Sequence, residues 1–313
     1  MLAYLAVTLK YLGYIDQARA RLNDALSEAR GLKHAQTLAV VLSCATWMES
    51  ITRSPEMQRH VEELIALSTK QGFSLHLGWA TAFRGSSLSE LGQVQEGLVL
   101  ITQGLAEVRA TGTTANTLRA FMWFADAYAR LEKPVEGLNC LGEAARIMTA
   151  TDERCDEAEL CRLRGDLLTA MDDRSAAEQC YHQALAVAER QSAKPFKLRA
   201  ATSLARLWRD QGKRTEAHDL LAPVYNWFTE GFDTPVLKEA KALLEQLAAI
   251  RKVGVGPILL TRRNGAPNGP WWVILRPERH SGTASGSPQL WTGRSNLSGA
   301  TCQSEEPEPA RAP

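Results

Sequence analysis

Along the first 250 residues, small and large apolar side chains alternate at steps of four and three. That spacing keeps them on one face of a helix. The steps belong to a longer unit. Aligned on the turns between paired helices, Gly13, Arg53, Gly92, Glu132, Asp172 and Gly212 follow one another at intervals of 40, 39, 40, 40 and 40 residues. Seven residues before each turn stands a small residue: Ala6, Thr46, Gly85, Ala125, Gly165 and Ala205. Five after the turn come Ala18, Gly97, Gly137, Ala177 and Ala217. Nine after it come Leu22, Ile101, Leu141, Tyr181 and Leu221, and twelve after it Ala25, Gly104, Ala144, Ala184 and Val224. The second unit breaks the pattern with Gln58 and Glu62. A slip of one residue restores it through Met57, Val61 and Leu64.

Antiparallel helices approach closely only where small residues sit at the backbone crossing, with larger side chains filling the space beside it. One helix pair cannot bury such a face, so the pairs are expected to stack and share a core. The prediction is an all-α solenoid of about six antiparallel helix pairs over residues 1–250. A capping helix over 233–248 closes it, started by Asp233 or Thr234 as the cap and Pro235 in the first turn. Its apolar stripe is Leu237, Ala240, Leu244 and Leu247. Met1 falls within the first helix of a pair. The array is therefore expected to be complete at its C-terminal end and open at its N-terminal end, where Leu2, Leu5 and Leu9 would present an apolar edge for self-association.

After Ile250 the periodicity stops. Gly, Pro, Ser and Asn punctuate residues 251–313, which end in Glu305-Glu-Pro-Glu-Pro309 and Ala-Arg-Ala-Pro313, a composition expected of a disordered or poorly structured tail. Trp271-Trp-Val-Ile-Leu275 is its one apolar island.

Composition narrows the function classes. A net charge of +1 gives no field to draw the chain to nucleic acid or a membrane surface. No apolar run reaches membrane-spanning length. Six cysteines in 313 residues are too sparse for a disulfide framework, so a reducing cytoplasm is expected. Gly92-Gln-Val-Gln-Glu-Gly97 has phosphate-loop glycine spacing, but Leu98 stands where the lysine is needed. Cys155, Cys161, Cys180 and His182 are too widely spaced for a structural zinc site, and the cysteines read as core thiols. No catalytic motif, metal site or cofactor site is expected.

The small–aromatic–small spacing of Ala177-x3-Tyr181-x2-Ala184, preceded by Gly165, is similar to the tetratricopeptide (TPR) motif. The runs Ala200-Ala-Thr-Ser-Leu-Ala-Arg-Leu-Trp-Arg-Asp-Gln-Gly-Lys213 and Leu220-Leu-Ala-Pro-Val-Tyr-Asn-Trp-Phe-Thr-Glu-Gly-Phe-Asp233 sharpen the likeness. They resemble the C-terminal TPR region of bacterial regulators that join a class III adenylate/guanylate cyclase, or another output domain, to an AAA-type ATPase. The resemblance covers roughly residues 1–248 and is most specific in the last two units. The cyclase and ATPase domains of that family have no counterpart here.

The resemblance implies a protein-binding arm in signalling, with the first helix of each pair lining a concave groove. By that spacing the groove residues are Trp79, Arg119, Met122, Asp126, Arg130, Glu159, Arg162, Asp166, Arg199, Arg206 and Arg209. Arginine forks hold carboxylates by two bonds, and a tryptophan offers contact area at small entropic cost. An acidic or mixed protein segment, such as part of a cyclase or ATPase domain, is the expected partner. The competing readings are a retained enzyme activity and a transcription-regulator module. No nucleotide motif supports the first, and no helix-turn-helix signature or strongly basic stretch supports the second.

Overall fold

The computed structural model describes residues 1–114 and 116–249; the expectation of a disordered tail over 251–313 falls outside them. The described residues lie within one compact unit, Met1–Gly256. Among them are thirteen α-helices and no strand: α1 Leu2–Leu12, α2 Ile15–Gly31, α3 Ala35–Ile51, α4 Glu56–Gln71, α5 Ser74–Glu90, α6 Val94–Ala110, α7 Thr117–Arg130, α8 Pro134–Thr151, α9 Glu157–Ala170, α10 Arg174–Arg190, α11 Lys194–Asp210, α12 Arg214–Asn226 and α13 Pro235–Ala249. They form six consecutive pairs and one closing helix. None of them is long and apolar enough to cross a membrane.

The turns repeat at the level of single bonds. All six turn residues identified from the spacing have positive φ, between 52° at Arg53 and 93° at Gly13. In all six, the next residue's N–H reaches back five positions: Tyr14 to Leu9, Ser54 to Glu49, Gln93 to Leu88, Lys133 to Tyr128, Asp173 to Leu168 and Lys213 to Trp208. This bond satisfies a carbonyl that the helix end would otherwise leave free. A second series of left-handed residues, Lys33, Gly72, Gly112, Asp152, Ser192 and Gly231, separates one pair from the next. Half of that series is not glycine, so it has no composition signal.

The small residues stand where helices touch. A Cβ on Gly85 of α5 would lie 2.5 Å from the Gly97 carbonyl oxygen of α6. In the fifth pair a Cβ on Gly165 would meet the Tyr181 ring at the same distance. Ala6, Ala18, Ala125, Ala177, Ala205 and Ala217 are wholly buried. In the second unit Met57, Val61 and Leu64 are buried while Gln58 and Glu62 face solvent, as the slipped alignment requires. The phosphate-loop-like stretch is a turn plus the start of α6, with Gly97 pressed against α5.

The two ends of the array meet. Pro223 lies inside α12 and cannot donate a helical N–H; the helix stops at Asn226, four residues shorter than its neighbour α11. The released segment covers the first turn. Trp227 stands over Gly13, whose Cβ would come within 2.6 Å of its ring, and Gly231 packs on Ile15. Glu230 accepts hydrogen bonds from the N–H groups of Asp16 and Gln17 at the start of α2, where a carboxylate also suits the helix dipole. Asp16 accepts in return from the Gly231 N–H, and Arg19 binds Asp233 at 2.8 Å. Tyr11 of α1 packs edge-on against Phe196 of α11.

The expected open N-terminal edge is thus corrected. Leu2 and Leu9 pack with the first hydrophobic cluster, and Ile15 belongs to the last one; only Leu5 of the expected edge is substantially exposed, at 46%. Two details of α13 also differ. Asp233 holds Arg19, and Leu243 takes the buried place expected of Leu244, which is half-buried.

Between α1 and α3 lies a buried ion pair, Lys10 Nζ to Glu49 Oε2 at 3.5 Å. Burial lowers the Lys10 ammonium from its usual 10.5 to about 8, against the opposing pull of Glu49. Between those pH values the unfolded chain keeps a proton that the folded chain has released. This group's contribution to stability therefore rises with pH across that window. Urea unfolding should show wild type gaining about 2 kcal/mol on Lys10→Met between pH 7.5 and 10. A second expectation concerns the helix crossings. Gly85→Ala should cost about 2 kcal/mol. Gly142→Ala, on an exposed face of α8 where an added Cβ meets nothing within 4 Å, should gain about 0.5–1 kcal/mol. Thermal melts of the two variants check this.

Candidate functional site

The odd-numbered helices turn one face inward, and their repeat register decides what they present. Counted back from each turn, the inward positions are thirteen, ten, nine and six residues before it. Trp79, Arg119, Glu159, Arg199 and Glu239 occupy the first of these at 40-residue intervals on α5, α7, α9, α11 and α13. The last four alternate in sign. Met122, Arg162 and Thr202 follow at the second position, Trp123, Leu163 and Ser203 at the third, and Asp126, Asp166 and Arg206 at the fourth. Except for Trp79, all of these line one cavity of about 220 Å³, together with Trp47, Ser50, Arg53, Met57, Glu90, Asp156 and Phe196 among others.

The charges in the cavity balance. Six arginines (Arg53, Arg119, Arg130, Arg162, Arg199, Arg206) face six carboxylates (Glu90, Asp126, Asp156, Glu159, Asp166, Glu239). Arg119 and Asp156 form a buried pair at 2.5 Å, with the Arg119 guanidinium 4.6 Å from the Trp47 ring centre. Glu159 binds Arg162 of its own helix at 2.6 Å and Arg199 of α11 at 2.9 Å. Burial alone would raise the Glu159 carboxyl; the Arg162 and Arg199 guanidiniums outweigh it and hold the group below its usual range. Asp166 takes Arg162 on one oxygen and the Tyr181 hydroxyl, at 2.8 Å, on the other. Arg130 binds Asp126 at 2.8 Å. Glu239 is shared by Arg53 at 2.6 Å and Arg206 at 3.3 Å, and its carboxyl is also held low against the effect of burial.

Glu90 differs from the rest. Among the described residues it has no ion-pair partner and accepts no hydrogen bond. Its carboxyl is raised, first by burial and then by the neighbouring Asp126.

Nine of the eleven residues nominated from spacing line this cavity: Arg119, Met122, Asp126, Arg130, Glu159, Arg162, Asp166, Arg199 and Arg206. Trp79 stands behind it, edge-on to Trp123 at 6.5 Å between ring centres. Arg209 turns along α11 toward Asp210 and Gln246. The arginines are not the uncommitted forks that an acidic partner would require, because each already binds a carboxylate of the cavity. Sequence reasoning missed Arg53, Glu90, Asp156 and Glu239. Glu239 could have been found by carrying the 40-residue step past Arg199 onto α13. Asp156 precedes its helix and Arg53 sits on a turn, so helical spacing reaches neither.

Among the described residues no cluster of three or more His, Cys, Asp or Glu is placed to hold a metal ion. Cys161 is buried in α9, and burial pushes its thiol up to about 11; Cys155, in the loop before α9, is exposed and not the core thiol expected, and its thiol too is raised, with Asp156 beside it. Neither is poised as a thiolate nucleophile. Compared with known proteins, the chain matches no family model and no curated protein.

The two shared carboxylates should differ in their structural weight. Glu159→Gln leaves the buried Arg162 with Asp166 alone and the partly buried Arg199 with no carboxylate, and should cost about 3 kcal/mol. Glu239, 38% exposed, bridges partly solvated arginines, and Glu239→Gln should cost about 1 kcal/mol or less. Chemical unfolding of the two variants measures the difference.

Proposed function

We propose that this chain is a protein-interaction scaffold of the TPR kind, the regulatory arm of a bacterial cytoplasmic signalling protein, without a catalytic site of its own. The observation that carries this reading is the inward charge ladder. Residues one repeat apart, contributed by consecutive odd-numbered helices, converge on one cavity, which is how a repeat array presents a continuous binding face. The partner is a protein segment, of which a cyclase or ATPase domain is the leading candidate by the resemblance of residues 158–247. The balanced charge of the cavity favours a mixed-charge segment over an acidic one, and disfavours nucleic acid. The five described cysteines are all free thiols, which suits a reducing compartment.

Photo-crosslinking in cells tests the reading. A crosslinkable residue at Arg130 or Arg206, at the partly exposed margin of the cavity, should capture a discrete partner band. One at Val99 or Val135, exposed on the second helices of their pairs, should not. Equal capture from both positions would overturn the scaffold reading. Millimolar ATP or GTP should leave the melting temperature unchanged; a rise of several degrees would favour a retained nucleotide activity.

A further inference from the structure

Five of the six cavity carboxylates touch a guanidinium, and the sixth, Glu90, touches none. The opposite imbalance lies beside it. Arg53 and Arg206 share the single carboxylate of Glu239. Glu90 stands two residues before the turn that ends α5. Arg53 stands on the turn that ends α3, the neighbouring inward helix, so both sit at the same end of the cavity. An unpaired carboxylate and an arginine that shares its one carboxylate thus line the same cavity. Trp47, Met57 and Trp123 supply apolar surface around them.

We propose that this cavity binds a small zwitterion, a free α-amino acid or a dipeptide of small residues, with its ammonium group on Glu90 and its carboxylate on Arg53. A lone anion would leave Glu90 unmatched, and a lone cation would leave the Arg53–Glu239–Arg206 group in excess. A net-neutral ligand carrying both charges completes both. Size agrees. An apolar cavity of about 150 Å³ holds benzene, so about 220 Å³ accommodates some ten heavy atoms. A folded helix, about 10 Å across, is too large. The ligand would join α3, α5 and the closing helix α13 through Glu239. This makes the array a sensor whose ends are tied by what it binds. The inference goes beyond the scaffold reading and does not depend on it.

The test is titration of the full chain with each of the twenty L-amino acids, glycylglycine and glycylalanine, followed by thermal shift and calorimetry. At least one compound should raise the melting temperature at 1 mM. Its N-acetyl and carboxamide derivatives, each lacking one charge, should bind at least tenfold more weakly. Glu90→Gln should lose tenfold or more in affinity with its circular dichroism and unliganded melt unchanged, since Glu90 makes no ion pair to lose. Binding of free amino acids or only of the short peptides tells the two sources apart, and either supports the proposal. No shift with any compound at 10 mM, equal binding of the blocked derivatives, or undiminished binding by Glu90→Gln would overturn it. Failure here with selective crosslinking at Arg130 removes the ligand and keeps the scaffold; the reverse result removes the scaffold and keeps the ligand.

Discussion

Close backbone contact within each helix pair is the constraint from which the rest of this structure follows. Gly85 against Gly97, Gly165 under the Tyr181 ring, and the buried alanines at the same positions in other pairs fix how near and at what height two helices cross. A larger side chain at any of these points would force the pair apart. Because the crossing recurs every 40 residues, the helix lengths, the left-handed turns and the inward face recur with it. The face needs no separate specification. Once the crossing is set, positions thirteen, ten, nine and six before the turn are carried to the inside.

That inside is charged, and the charge has a structural consequence. A buried ion pair contributes little net stability compared with an apolar pair of similar volume, but breaking one half is costly. The ladder Arg119, Glu159, Arg199, Glu239 therefore disciplines the stacking. Sliding one repeat by a helical turn would separate Glu159 from Arg199 and Glu239 from Arg206. The clasp between the ends acts alongside it. Glu230 on the start of α2, Arg19 on Asp233 and Trp227 on Gly13 hold the first and last pairs together.

Much of this was legible in the chain. The turn residues were found by spacing alone, including Arg53 and Glu132, whose residue types do not favour turns yet take positive φ. Most groove residues were found because helical spacing and a common repeat place them together. What escaped was of another kind. Asp156 and Arg53 lie outside the helices. Glu90 draws its character from having no partner, and a missing contact leaves no pattern in a sequence. The expected open N-terminal edge went wrong because spacing describes neighbours one repeat apart. It is silent on a contact across 214 residues such as Arg19 with Asp233.

The sequence by itself determined the helix pairs, their register and most of the inward side chains, because these depend on local periodicity and on residue size at fixed steps. The tertiary structure alone decided that the two ends meet, that each arginine is paired with a carboxylate of the cavity, and that Glu90 is left over. Those outcomes depend on the accumulated rotation from one pair to the next. That rotation is a sum of many small packing angles, and no single residue encodes it.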